Sequence, residues 1–212
     1  MKKREAKKLI DSRLKEYLRQ FNFKKKGDDF IKIIKGDFKI DFGYSIVDLG
    51  NSFPIQFGYH LSSVYLDRIF SAIRGVEEKG LNVYSNHQSL LFESKEYPIL
   101  EYDVYTSEDI EEMVGEITKF LDNKALPYLE SICDLEELEK VINNKPIPQK
   151  SEVGLVLARI MKNSDYNKLK EKYRELLIDW VDSYKESLEK TINFLDNHSV
   201  EELEIIAQGK KF

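Results

Sequence analysis

The sequence contains little of the material from which metal and catalytic sites are usually built. It has one cysteine, Cys133, and three histidines, His60, His87 and His198. A single cysteine cannot form an internal disulfide, which favours a reducing compartment. The histidines are far apart in the sequence, and none has the close spacing of a zinc ligand pair. We therefore predict no bound metal, no cofactor and no catalytic residue, and the sequence favours a protein that is not an enzyme.

Glycine-rich loops and long apolar runs are missing as well. The glycines of the first 60 residues are scattered over predicted turns and strands and do not form a phosphate-binding loop. No apolar run approaches the roughly 20 residues that cross a bilayer. The first 18 residues are charged throughout and lack the apolar segment of a signal peptide. These features predict a cytoplasmic protein that does not associate with a membrane.

Acidic residues are scarce in the first 40 positions, where 14 lysines and arginines outnumber 6 aspartates and glutamates. This section carries +8, and because the whole chain carries −5, residues 41–212 carry −13. Nucleic-acid-binding domains are usually basic overall, so the charge balance argues against nucleic acid as the partner. A nucleic-acid-binding protein that uses Lys24–Lys26 and the first helix stays open as an alternative.

The clearest pattern lies in two segments, Phe38–Ile46 and Phe53–Leu61, in which apolar and polar residues alternate. A period of two places the apolar side chains of each strand on one face, so the segments predict an antiparallel β-hairpin with a loop at 47–52. Pro54 has no N–H to donate and should lie at a strand start or an edge. The apolar face belongs to the core, and the opposite face carries Lys39, Asp41, Gln56 and His60.

Weaker patterns surround this hairpin. Apolar residues at helical spacing predict a helix over 4–21 and another from Ser62 or Ser63 to Ile73. Further strands are expected at 30–34, 81–85, 89–93 and 100–104, which gives a sheet of roughly five or six strands. The predicted fold class is α+β, with an N-terminal helix, an antiparallel sheet and a C-terminal all-helical section.

The C-terminal half of the sequence is typical of helices. Ser107 is the predicted N-cap of the first, Asp134 and Glu137 resemble a capping box, and Ser151 is expected to cap a helix after the prolines at 146 and 148. One long helix is predicted from Ser164 to about Leu195. We predict an α+β domain at 1–144, a proline-containing linker at 145–150 and a helical tail at 151–212.

Two groups of polar residues offer chemistry to weigh. The triplet Glu93-Ser94-Lys95 has the order used by metal-dependent nucleases, which leaves a nuclease-like enzyme open as an alternative. Glu101 and Asp103 share a face of one predicted strand, as Lys39 and Asp41 do. Both pairs occupy the polar positions of half-buried strands, which is explanation enough for their spacing. Together with two further polar residues they define a possible interaction surface: Lys39, Asp41, Gln56, His60, Glu101 and Asp103.

Two stretches carry a family resemblance. LKEYLRQFNFKKKGDDFIK (14–32) is a helix that leads into a meander, and ALPYLESICDLEELEKVI (125–142) is similar to the segment that closes the same families. The chain resembles bacterial domains of unknown function that are often encoded near polymorphic toxins. The resemblance implies an immunity-type protein whose partner is another protein, and the acidic region 41–212 would complement a basic partner such as a nuclease toxin. The sequence leaves the oligomeric state open.

Overall fold

The two alternating segments form the longest strands of an antiparallel sheet. The computed structural model describes residues 2–34, 37–85 and 101–210. Within these ranges the strands are β1 (Lys24–Lys26), β2 (Asp29–Ile34), β3 (Phe38–Ile46), β4 (Phe53–Ser63), β5 (Tyr84–Ser85) and β6 (Glu101–Val104). The hairpin of β3 and β4 is confirmed.

Helices precede and follow these strands. They are α1 (Lys3–Arg19), α2 (Val64–Arg74), α3 (Ser107–Phe120), α4 (Leu126–Ser131), α5 (Leu135–Asn144), α6 (Ser151–Ile160), α7 (Tyr166–Leu176), α8 (Asp182–Asp196) and α9 (Val200–Ala207). A π-helical turn at Leu121–Ala125 joins α3 to α4, and a 3-10 turn at Pro148–Lys150 precedes α6. The predicted α+β class is confirmed, and no helix among the described residues is long and apolar enough to cross a membrane.

The sheet is built around β4. Its order is β1-β2-β3-β4-β5, and β6 also pairs with β4. The register places Phe53 opposite Val104 and Gln56 opposite Glu101, while His60 lies opposite Ser85. Pro54 is the second residue of β4, as its missing N–H requires, and its carbonyl accepts a hydrogen bond from the Val47 N–H at 3.0 Å.

Contacts divide the chain into two compact units, 1–62 with 84–130 and 63–83 with 131–212. The predicted boundary at the prolines does not coincide with this division, because α5 and α6 pack together across them. Each unit has its own buried apolar residues, so each is described separately below.

In the first unit, helices cover the aromatic face of the sheet. Phe42 and Phe57 stack with ring centroids 5.7 Å apart, and Phe120 at the end of α3 lies 6.5 Å from Tyr59. The Tyr44 hydroxyl donates to Asp11 Oδ1 of α1 at 3.0 Å. Helices α1 and α3 pack against each other and bury their apolar stripes. The aromatic face is therefore core, and the opposite face of the sheet remains for function.

In the second unit, α6 is the central helix. Eight of its ten residues are buried, all except Glu152 and Arg159, and it contacts α5, α7, α8 and α9. The Tyr173 side chain of α7 lies against the backbone of Gly154, where any Cβ would collide with it. The Tyr173 hydroxyl donates to Asn143 Oδ1 at 2.8 Å. A glycine at this position lets α6 and α7 approach closely.

Several local predictions need correction. Thr106, not Ser107, is the N-cap of α3, since its side chain accepts a hydrogen bond from the Asp109 N–H. The Asp109 side chain in turn accepts from the Thr106 N–H, which completes a capping box. Ser151, the predicted N-cap of α6, is the first residue of that helix, and Lys150 occupies the N-cap position. Lys24–Lys26, expected to lead into the first strand, form the separate strand β1. Within 81–85, only Tyr84–Ser85 pair as a strand.

The predicted long helix from Ser164 to Leu195 is wrong. The chain leaves the helix after Leu176 and re-enters it at Asp182. Helices α7 and α8 pack against each other, and Arg174 reaches Glu189 Oε1 at 2.6 Å. A straight helix would separate these residues, so packing of the two halves overrides the continuous helical pattern.

Candidate protein-binding groove

The polar face of the sheet holds the predicted surface residues in two groups. Lys39, Asp41 and His60 form the first group, on adjacent strands β3 and β4. Gln56 and Asp103 belong to the second, nearer the loop between those strands. Glu101 stands opposite Gln56 in the β4–β6 register. One predicted surface therefore separates into an ion cluster and a groove.

The ion cluster is centred on Asp41, whose side chain is buried. Its Oδ2 lies 2.8 Å from Lys39 Nζ and 3.1 Å from His60 Nε2. Burial alone would raise the pKa of Asp41, but the hydrogen bonds and charges of His60 and Lys39 outweigh it and hold that pKa below its ordinary value. The carboxylate stays ionised because Lys39 and His60 both face it.

A third polar residue continues this row across the sheet. Ser85 of β5 stands opposite His60, so Asp41, His60 and Ser85 occupy neighbouring positions on three strands. An Asp–His–Ser order is the order of a nucleophilic triad. Ser85 is only 5% exposed, however, and a nucleophile must be reached by its substrate. The row is therefore a set of neighbouring polar positions in the sheet, and the burial of Ser85 does not support a hydrolase.

Gly43 of β3 also lies on this face, where the lack of a side chain permits close approach by a neighbour. Its neighbour is the carboxylate of Asp29 on β2, which a Cβ at position 43 would strike. The close approach thus serves a contact within the sheet. The predicted interaction surface is consequently narrower than the whole polar face.

The groove has a volume of about 470 Å³. It lies where β3, β4 and β6 adjoin, beside the loop that joins β3 to β4. The lining residues are Ser45, Val47, Pro54, Ile55, Gln56, Tyr102 and Asp103. Of these, Ile55 is only 1% exposed and the Tyr102 ring packs against Phe57 on the core face of the sheet. Concave sites with a mainly apolar lining and a few polar groups are typical of binding sites.

Exposed apolar side chains surround the groove. Val47 is 52% exposed, Leu49 in the same loop is 64% exposed, and Tyr105 directly after β6 is 56% exposed. The pairing of Phe53 with Val104 brings the end of β6 to the start of β4, next to this loop. In the sequence, Val47 and Leu49 are apolar residues within the otherwise polar loop 47–52, and the hairpin prediction assigned them no role.

Negative charge is concentrated on the same part of the unit. Residues 101–118 contain seven aspartates and glutamates and no lysine or arginine. Asp103 lines the groove, and Glu108 and Asp109 stand in the first turn of α3, where the helix dipole stabilises them. Burial, together with the nearby Glu116 carboxylate, raises the pKa of Tyr102 to about 12. The groove therefore combines the apolar residues Val47 and Pro54 with the carboxylate of Asp103, and the acidic start of α3 follows β6 closely in the chain.

Within the residues that the structure describes, nothing supports the alternative of a metal-dependent nuclease. Glu93, Ser94 and Lys95 lie outside the described residues, as do His87, the predicted strand at 89–93 and the turn residues Lys35 and Gly36. Among the residues that the structure describes, no group of three or more histidine, cysteine or carboxylate side chains is placed to hold a metal ion. The Cys133 side chain is buried.

Lysines of the basic section are paired with carboxylates. Lys25 contacts Asp11, Lys7 contacts Asp28 at 2.6 Å, and Lys32 contacts Glu130. Pairing of this kind lowers the charge that a phosphate backbone would meet. The arrangement fits the interpretation that these lysines solvate the first helix and its neighbours.

Comparison with known proteins adds no assignment to this geometry. No protein-family model matches the chain, and no curated protein or solved structure matches it either.

Proposed function

We propose that this protein binds another protein, and that the groove beside the β3–β4 loop receives an apolar and basic segment of that partner. The observation that carries the proposal is the coincidence of exposed Val47, Leu49 and Tyr105 with a concave groove. Exposed apolar side chains gathered around a groove are typical of interaction sites. The resemblance to toxin-immunity families supports an immunity-type role for the complex.

Negative charge at Asp103 and at the start of α3 selects the charge of the partner. Asp103 and the carboxylates that begin α3 attract lysine and arginine, and complementary charge accelerates encounter and sets specificity. A basic nuclease toxin has this chemistry. Binding in the groove would cover a surface of the toxin and neutralise it without any reaction.

The first experiment compares two variants with the same change of charge at different locations. Val47→Asp with Asp103→Lys changes the groove, whereas Val76→Asp with Glu77→Lys changes exposed positions elsewhere. Tagged proteins are expressed in the native host, and bound proteins are captured and identified. We expect one partner that the wild type and the Val76/Glu77 variant retain and the groove variant loses.

The captured protein is then purified, and its affinity is measured by titration. We expect the groove variant to bind at least tenfold more weakly, and the association rate of the wild type to fall as salt increases. Equal binding by both variants would show that the groove is not the site. Failure to recover any specific partner would count against a protein-binding function.

The immunity role has its own test. The product of the gene adjacent to that of this protein is the first candidate toxin, and it is expressed with and without the wild type or groove variant. We expect the wild type to restore growth and the groove variant to fail. A toxin that remains fully active beside the wild type would exclude this pair.

A further inference from the structure

The turn between α7 and α8 presents a second group of apolar side chains. Ile178 is 67% exposed, Val181 is 64% exposed and Tyr184 is 45% exposed. The Trp180 ring meets the Tyr184 ring edge-on, with centroids 5.0 Å apart. We name Ile178, Trp180, Val181 and Tyr184 the α7–α8 knob. Trp180 and Tyr184 are four residues apart within the long helix that the sequence predicts, and the structure exposes Tyr184 and leaves Trp180 half-buried.

Stabilisation of the turn does not explain why Ile178 and Val181 are apolar. Val181 occupies the N-cap position of α8 and makes no side-chain hydrogen bond to the helix. Serine, threonine, aspartate or asparagine at this position would accept a hydrogen bond from a free N–H of the first turn. The packing of Trp180 on Tyr184 fixes the entry of the chain into α8, but Ile178 and Val181 take no part in that pair. Their exposure points to a contact beyond the unit.

Charge around the knob is predominantly negative. Glu175, Asp179, Asp182 and Glu186 are exposed, while residues 175–186 hold a single cation, Lys185. Arg174 does not offset these carboxylates, because Glu171 and Glu189 engage its guanidinium at 2.6 Å. Carboxylates repel the anionic headgroups of a membrane surface, whereas surface-binding helices are rich in lysine and arginine. An acidic rim around an aromatic and aliphatic centre is suited to a basic protein surface.

We infer that the α7–α8 knob inserts into an apolar pocket of a partner protein, and that lysine or arginine side chains surround this pocket. Tryptophan and tyrosine are enriched among the residues that dominate binding energy at protein interfaces. The ring of carboxylates pairs with the partner's cations at the edge of the contact. This surface lies in the second unit and does not depend on the groove of the first.

Trp180 is the only tryptophan in the chain, so its fluorescence reports directly on coverage of the knob. A photo-crosslinking amino acid is placed at Ile178 in one protein and at Lys168, an exposed position of α7, in another. Both are expressed in the native host and irradiated, and crosslinked proteins are identified. We expect one dominant protein from position 178 that is absent from position 168.

That protein is then purified and added to the full chain. We expect the Trp180 emission to shift to shorter wavelength and acrylamide quenching to fall at least twofold. The variant Ile178→Asp with Val181→Asp should bind at least tenfold more weakly, whereas Lys168→Asp should bind as the wild type does. Circular dichroism checks that all variants keep their helices.

Four results would overturn the inference. Quenching that falls with vesicles of phosphatidylcholine and phosphatidylserine would identify a lipid surface as the occupant. Quenching that falls with protein concentration alone would identify a second copy of the chain. Identical crosslinks from positions 178 and 168, or unchanged Trp180 fluorescence with the purified protein, would show that the knob is not an interface.

Discussion

Lys150 combines a charged group with a buried position. Its side chain is only 5% exposed, and its amine donates to the Asn82 carbonyl at 2.7 Å. Burial disfavours the charged form and lowers the pKa of Lys150 to about 8. A lysine that follows two prolines in a predicted linker gives no sign of this in the sequence.

The Lys150 amine should make stability depend on pH. Between pH 8 and the ordinary lysine value of 10.5, the unfolded chain binds a proton that the folded chain has released. The free energy of unfolding should therefore rise with pH across this window, by up to about 3 kcal/mol. Urea unfolding of the wild type and of Lys150→Met, measured from pH 7 to 10.5, checks this. Parallel profiles for the two proteins would contradict it.

Two glycines in helices should respond oppositely to alanine. A Cβ at Gly154 would collide with the Tyr173 hydroxyl, so Gly154→Ala should destabilise the fold by about 1–3 kcal/mol. Gly115 in α3 has no atom within 4 Å of such a Cβ, so Gly115→Ala should stabilise by roughly 0.5–1 kcal/mol. Urea midpoints of both variants measure the difference. A gain of stability from Gly154→Ala would show that the side chains around Gly154 move to accommodate the added Cβ.

At the scale of the element, α5 depends on its N-cap. Asp134 Oδ1 accepts from the N–H groups of Glu136 and Glu137 at 2.9 and 3.3 Å. The other half of the predicted capping box is replaced by side-chain pairing, since Glu137 contacts Lys140 at 2.9 Å. The cap identified in the sequence therefore holds, while the reciprocal contact does not form.

Removal of this cap should weaken α5. Asp134→Ala should reduce the free energy of unfolding by about 1 kcal/mol, because two N–H groups lose their acceptor. Asp134→Asn keeps an acceptor oxygen and should lie within a few tenths of a kcal/mol of the wild type. Chemical denaturation of the three proteins tests the cap. Equal losses for alanine and asparagine would mean that the charge of Asp134, and not its hydrogen bonds, stabilises the helix.

At the scale of the whole molecule, the chain builds two cores from four stretches. Residues 63–83 leave the first unit after β4 and pack in the second, where α2 contacts α8 and α9. The Arg68 guanidinium donates to the Ala207 carbonyl at 2.8 Å within that unit. Each core therefore joins segments that are distant in sequence.

Local destabilisation should stay within the unit that contains it. We expect Gly154→Ala to accelerate hydrogen exchange at amides of α5–α9 while amides of β3 and β4 keep the protection of the wild type. Native-state exchange in low denaturant, read by mass spectrometry of peptides, resolves the two groups. A uniform loss of protection across both units would show that they open together.

Sequence periodicity by itself determined the β3–β4 hairpin, the aromatic core face and the α+β class. Alternation at a period of two admits few other structures, and caps such as Ser63, Asp134 and Ser199 act through neighbours within three residues. It also placed Lys39, Asp41, Gln56 and His60 on one face of the sheet. These results depend on local geometry, which the residue order fixes directly.

Tertiary structure alone decided which of those polar residues meet. Pairing of β6 with β4 gathered Gln56, Asp103 and Val47 into a groove, while Asp41 was buried between Lys39 and His60. The packing of α8 on α7 broke a helical pattern that is continuous in sequence, and it left Trp180 half-buried and Tyr184 exposed beside the break. Such contacts join residues far apart in the chain, and their energies depend on packing that a local pattern does not contain.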